Sequence, residues 1–515
     1  MKKLFLFASL FFLSSIYSQS GNLDISFGTD GKNVSCHIDQ MFEASSAIQS
    51  SGKLISFGRN FSTTNGIYLL RYNVNGNLDT TFGTNGFVGD NQFGQTFAGG
   101  PAVLDMVILP DDKILLLVRQ SQSASNNYIV RLTANGAIDN TFNGTGILNF
   151  GIGSGLYYDW AITMQLQPDG KILVGGTSEA PVGMFYTLVR LNSNGTFDST
   201  FGTNGKVHTQ IFNGQSGLRS IVVLPSGKIV TGGYCNDGAT TRYVLVQYSA
   251  NGSLDTTFGA NGIAAVPALQ TFRWDELRKI LVRPDGKILV GGLTNSLGQP
   301  NAIRGLGLTQ YLANGTVDTS FGTNGVKIIP DTDLGDMALQ VDGKIILTTP
   351  DLGFGVVRTL PNGTIDTTFG TAGYVNEFLN APGRSSSGVL IQADNKIIVT
   401  GQVNTGPDQN GSYQSCLSAM RLNPGVILKN DNFSSDNGLV VYPNPSDGKL
   451  FIESKSFLDE DFTLDVYSVL GQKVFSETNI KLESKEIDLS ALNSGTYFIK
   501  LSNDFRALQQ TLVIK

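Results

Sequence analysis

The chain is 515 residues long, enough for about two to five domains of ordinary size, with 15% charged residues and a net charge of −6. That balance supplies no field to attract a polyanion, so nucleic acid is not an expected partner, and two histidines leave few groups for neutral-pH base catalysis or a His-rich metal site. The 61 glycines suit many turns and short strands better than long solvated helices.

Residues 1–18 read as a secretory signal peptide: Lys2 and Lys3, an apolar run over residues 4–16, then small and polar residues at 18–20. The run is too short to span a bilayer. No later stretch reaches that length, so the mature chain is expected to carry no transmembrane segment. Export places Cys36, Cys235 and Cys416 in a disulfide-permissive compartment, although three cysteines in so long a chain make no disulfide framework.

Residues 21–425 repeat themselves. An apolar residue followed by Asp and, three residues after the Asp, usually by Phe-Gly recurs with Asp at 24, 79, 139, 198, 255, 318 and 366. A second signature, typically Asp-Gly-Lys before an apolar run, has Lys at 53, 113, 171, 228, 287, 344 and 396. The Asp residues are spaced by 57 on average, long for a solenoid and suited to a four-stranded propeller blade with extended loops. The Gly of Asp-Gly-Lys, as at Gly170 and Gly286, can take the positive φ that a tight turn between apolar strands demands, and the departures, Asn143 for the Gly of Phe-Gly, Ser226 for Asp and Asp394-Asn395 in the seventh copy, leave the count of seven intact. The first copy lacks its preceding strand and the last ends on a spare one, Ala419 to Asn423. Sharing one blade between the two ends closes a ring without an exposed edge, so seven blades are expected. A closed ring also brings together the copies that hold Cys36 and Cys416, making a bridge between them compatible with the fold.

Residues needed identically in every copy are expected to be architectural. The seven Asp residues, each near a Thr or Ser, suit turns in which the carboxylate accepts backbone amides. Arg71, Arg131, Arg190, Arg358 and Arg421, replaced by Gln247 and Gln310 in two copies, are expected to pair with a carboxylate between strands or blades. Function is sought in what does not repeat. Both tryptophans lie just before an inner strand, in Tyr157-Tyr158-Asp159-Trp160 and in Arg273-Trp274-Asp275-Glu276. Flat rings beside carboxylates and an Arg suit carbohydrate or peptide recognition if both segments reach the mouth of the channel. Asp331, Asp333 and Asp336 form an acidic cluster able to offer oxygen ligands to calcium, without the spacing of an EF-hand loop. His37 and His208 adjoin no nucleophile-elbow or metalloprotease pattern, no catalytic residue is assigned, and no cofactor other than calcium is suggested.

Residues 426–438 are polar and read as a linker. From Val441 onward there are 19 charged residues in 75, about twice the earlier density, and short alternating runs predict a small Ig-like β-sandwich over 439–515. The expected fold class is all-β: a seven-bladed β-propeller followed by that sandwich.

The segment Tyr442-Pro443-Asn444-Pro445, the turn at Gly471, the run through Gly495 and Tyr497, and the ending at Lys515 resemble the type A C-terminal sorting domain of the type IX secretion system of Bacteroidetes. That resemblance implies a partner in the type IX machinery, removal of the tail, and a final place outside the cell or on its surface. The two recurring signatures resemble the delta-60 repeat of bacterial surface and secreted proteins, which implies a β-propeller and assigns no reaction. Binding or adhesion toward a glycan or protein is the leading expectation. A secreted enzyme acting on polysaccharide and a structural surface protein are the alternatives.

Overall fold

The computed structural model describes residues 20–36, 41–60, 66–93, 101–120, 126–153, 159–181, 183–211, 215–236, 241–265, 274–295, 304–377, 383–407 and 413–425 of one compact unit, which ends at Val426. In a second unit, over 427–515, it describes residues 439–454, 461–468, 473–481, 483–503 and 507–514. The signal segment, the linker at 426–438, His37, Tyr157, Tyr158, Arg273, Gly471 and Lys515 lie outside the described residues.

Among the described residues the regular elements of the first unit are strands and two short 3-10 turns. Its strands form antiparallel four-stranded sets, seven among the described residues, two of which are joined into one eight-stranded sheet by a single parallel pairing, Thr241 with Trp274. Each set follows one pattern, as in the third: Asp159–Leu166, Ile172–Ala180, Gly183–Leu191 and Lys206–Gln210, paired in that order. The first strands of successive sets adjoin one another, and that of the last, Gly383–Ile391, returns to that of the first, Met41–Ile48. The ring is therefore closed. The closing set takes three strands from the end of the unit and its fourth, Lys32–Ser35, from the beginning, with Lys32 opposite Met420 and Ser35 opposite Leu417. A disulfide joins Cys36 to Cys416 across that seam, and Cys235 is free and buried.

The turn after each first strand follows the expected chemistry. Gly170 sits at φ 80°, while the second and seventh copies place Asp112 and Asn395, both at φ 63°, where the others have Gly. Asp and Asn enter this left-handed region at the least cost among side-chain-bearing residues. Asn143, which stands where the other copies have the Gly of Phe-Gly, also takes a positive φ, 50°, and its side-chain amide donates to the carbonyl of Ile147. Between the sets lie apolar layers; one packs Leu115, Leu117 and Ile129 against Met164, Val174 and Val189.

The repeated Asp residues are the keystones of this plan. In the third copy Oδ1 of Asp198 accepts the Thr200 amide at 3.0 Å and its hydroxyl at 2.7 Å, and Oδ2 takes Nε of Arg190 at 2.7 Å and Nζ of Lys171 at 3.1 Å. The Arg190 guanidinium lies over the Phe201 ring and donates onward to the carbonyl of Ala250 in the following copy. Arg71, Arg131, Arg358 and Arg421 repeat this reach, to Ala134, Ser193, Pro424 and Val74. Each guanidinium thus satisfies a carboxylate at home and ties its set to the next. Where the third strand carries Gln310, the guanidinium comes from elsewhere: Arg283 donates to Oε1 of Gln310 and to the Pro361 carbonyl. Burial alone would raise these carboxyls, but the hydroxyl, amide and cation partners overcome it and hold Asp24 and Asp139 at about 2.

The second unit is two sheets over one core. Leu439–Tyr442, Lys449–Ser454 and Glu483–Asp488 form one sheet. Lys473–Ile480, Phe462–Ser468, Gly495–Ser502 and Ala507–Ile514 form the other. Leu450, Ile452, Leu464, Val466, Ile499 and Leu512 are among the residues that fill the space between them. The Tyr-Pro-Asn-Pro motif pins the last strand: Oδ1 of Asn444 accepts the Val513 amide at 2.9 Å, and the Ser446 amide donates to the Val513 carbonyl at 2.8 Å. The Tyr442 ring stacks on Phe451 at the surface, whereas Tyr497 is buried, with its hydroxyl on the Asn493 carbonyl.

Candidate functional site

The first strands surround a cavity of about 800 Å³, lined by residues of every set. One position, eight residues before each turn lysine, can be followed around it: Ser45, Asp105, Thr163, Ser220, Lys279, Asp336 and Gly388. In six of the seven strands the pairing register shifts at or just before this residue, and such a bulge re-aims side chains next to sites. Where the outer signatures repeat, this ring varies.

The varied residues link neighbouring sets. Asp105 takes three hydrogen bonds: the Thr163 hydroxyl at 2.9 Å and the Met164 amide at 2.7 Å from the next strand, and its neighbour's amide, Met106, at 2.9 Å. Burial raises the Asp105 carboxyl above its ordinary value, against the pull of those donors and of the Lys279 charge. Nζ of Lys279 lies 3.0 Å from Oδ1 of Asp336, whose carboxylate holds the ammonium above its ordinary range. The Ser220 hydroxyl accepts the Ile280 amide. One residue earlier, at the bulge, Arg219 pairs with Glu276 at 2.6 Å and lies over the Tyr234 ring, and Arg278 pairs with Asp333 at 2.7 Å. Three cations from two adjacent sets each meet a carboxylate of the set that follows.

The residues singled out from sequence are only partly brought together. Trp160 and Trp274 both open first strands but are not equivalent: counted from the turn lysine, Trp160 corresponds to Glu276, and Asp159 to Asp275. Asp159 and Asp275 are buried. Trp160 is half-buried, with the Arg119 guanidinium 5.1 Å from its ring centroid. Of Trp274 only the backbone is described, paired with Asn295. Asp333 and Asp336 are held by Arg278 and Lys279, and Asp331 is exposed at φ 59°. Among the described residues no three His, Cys, Asp or Glu side chains gather in a way that could hold a metal ion. His208 directs Nδ1 at the Thr187 and Ser178 hydroxyls, 3.1 and 3.3 Å away, and burial lowers its pKa. Sequence reasoning passed over Asp105, Arg219, Arg278 and Lys279. The signal was present in the alignment of the copies on their turn lysines, which shows this inner position changing charge from copy to copy.

Comparison with known proteins places the two parts of the chain. A secretion system C-terminal sorting domain matches residues 440–515. A domain of unknown function, DUF5122, described as a beta-propeller, matches residues 49–82, 109–142, 167–201, 224–258, 283–321 and 340–369. No curated protein matches the chain. Among solved structures, the polysaccharide lyase Uly1 is similar over 80% of this chain and 94% of its own at 12% identity, with a TM-score of 0.42. A protein of unknown function from Bacteroides caccae is similar over 66% of this chain and 100% of its own at 12% identity, with a TM-score of 0.34. At that level neither likeness bears on substrate or reaction. The sorting domain marks the protein for secretion or the outer-membrane surface. Turn, keystone and tail together make this chain a β-propeller protein of DUF5122 repeats that ends in a type IX secretion sorting domain.

Proposed function

We propose that this exported protein is a binding protein whose ligand is a glycan seated in the central channel. One observation carries the reading: the side chains that repeat around the ring are consumed in holding it together, whereas those that vary converge on a single cavity of about 800 Å³. That volume falls within the range of about 300–1,000 Å³ typical of ligand sites. Ion-paired Arg219, Lys279, Glu276 and Asp336 offer donors and acceptors at fixed positions, which suits the hydroxyl groups of a sugar. The half-buried Trp160 occupies the position of Glu276 in its own first strand, outside the residues that line the cavity and beside the Arg119 guanidinium.

The test is a screen of the protein against soluble polysaccharides and oligosaccharides, read by the fluorescence of its two tryptophans. Binding that is lost in Lys279→Gln supports a channel site. Failure of every glycan to bind removes the reading. Appearance of shortened or unsaturated products would replace a binding role by an enzymatic one.

A further inference from the structure

The channel is graded along its axis. From the start of each first strand toward its turn come Glu276, then Arg219 and Arg278 at the bulge, then Asp105, Lys279 and Asp336. Two residues further on the wall turns apolar, with Val107, Val222, Leu281, Ala338 and Leu390, Gln165 being the polar exception. The lining charges balance, three cations against three carboxylates. A sugar hydroxyl that advanced past the charged ring would leave water and hydrogen-bond partners behind, at a cost of about 1–3 kcal/mol for each group left unpaired. The wall is also closed around the axis, through seven adjoining strands and a seam held by Cys36–Cys416.

From this geometry we propose that the channel recognises the end of a neutral glycan chain and not its interior, an inference that rests on the glycan reading above. A closed ring admits a polymer only by a terminus. The apolar stretch then stops the terminal sugars at the charged ring, where Lys279, Asp336 and Asp105 reach their hydroxyls. Balanced charge gives an anionic sugar no advantage over a neutral one.

The experiment is calorimetric titration of the full chain with laminarin, xylan and mannan, and with laminarihexaose, xylohexaose and mannohexaose. The expected result is one hexasaccharide per protein, no more than one protein per chain end on the matching polymer, and binding weakened at least tenfold in Lys279→Gln. The Lys279 side chain is 43% exposed to the channel, so that variant is expected to fold, and its thermal midpoint checks this. Arg219→Gln serves as a second variant with the same expectation. Several protein molecules bound along each polymer chain, with the hexasaccharide and both variants unaffected, would overturn end recognition while leaving glycan binding in place. No heat from any of the six probes would overturn both.

Discussion

Arg421 and Asp24 stand 397 residues apart in the chain, and Nε of the one donates to Oδ2 of the other at 2.7 Å. The contact reproduces, between the two ends of the unit, the pairing that Arg190 and Asp198 make within eight residues. Because these pairs are buried, removing the arginine leaves each carboxylate with only a partly exposed lysine, Lys171 or Lys396, and strips the tie to the next set. Arg190→Leu and Arg421→Leu are each expected to cost about 3–5 kcal/mol, measured from urea unfolding. Equal losses would show that the split copy is as well knit as a continuous one.

The fourth copy offers the opposite experiment. Gln247 stands where five copies have Arg, the Phe258 ring lies buried at the place of the other stacked phenylalanines, and Leu224 replaces the compensating Arg283 of the fifth copy. Gln247→Arg should restore the pair with Asp255 and the reach to the Ala313 carbonyl, and so raise stability by about 1–2 kcal/mol. An unchanged or lowered denaturation midpoint would count against the latch.

Acid sensitivity follows from the same carboxylates. Burial opposes the shift, but the Ser26 hydroxyl, Lys396 and Arg421 hold Asp24 at about 2, and Lys228 and the Thr257 hydroxyl hold Asp255 at about 2 against the ordinary 3.8. Such depressed groups stabilise the fold fully above about pH 4, and that contribution is lost as pH falls toward 2. Circular dichroism should therefore show an intact β signature at pH 4 and a cooperative loss between about pH 4 and 2. Loss beginning at pH 5 or above would contradict the keystone role.

Reduction tests the seam. Cys36 is exposed and its partner Cys416 is buried, and the bond closes a very long loop. Cys36→Ser should lower stability by about 2–5 kcal/mol without altering the strand content seen by circular dichroism, because the Lys32–Ser35 pairing and the Asp24–Arg421 contact remain. A variant with unchanged stability would assign closure to the strand pairing alone.

The architecture is legible because each copy states it again: the turn lysines, the Asp signature and the spare strand at Ala419–Asn423 together imply a ring. Even the Arg–carboxylate pairing could be anticipated from its recurrence. The channel was harder to read. Arg219 and Glu276 are 57 residues apart, and only the adjacency of two sets turns them into a pair. The two tryptophans differ in position by two residues when the copies are aligned, an offset that only the alignment on the turn lysines reveals. Nothing local in Asp105 or Lys279 announces a site, since each resembles an ordinary charged residue within a strand.

The split seventh set imposes an order on assembly. The strand Lys32–Ser35 is made early, yet the edge that receives it, Tyr413–Leu422, emerges from the ribosome some 380 residues later. Six sets can form as the exported chain emerges, while the first strand keeps an unpaired edge of the kind that invites association with other chains. Completion of the ring and emergence of the sorting domain, which begins shortly after Leu422, thus fall close together in time. A chain that displays its export tail has, by then, exposed every strand the ring needs.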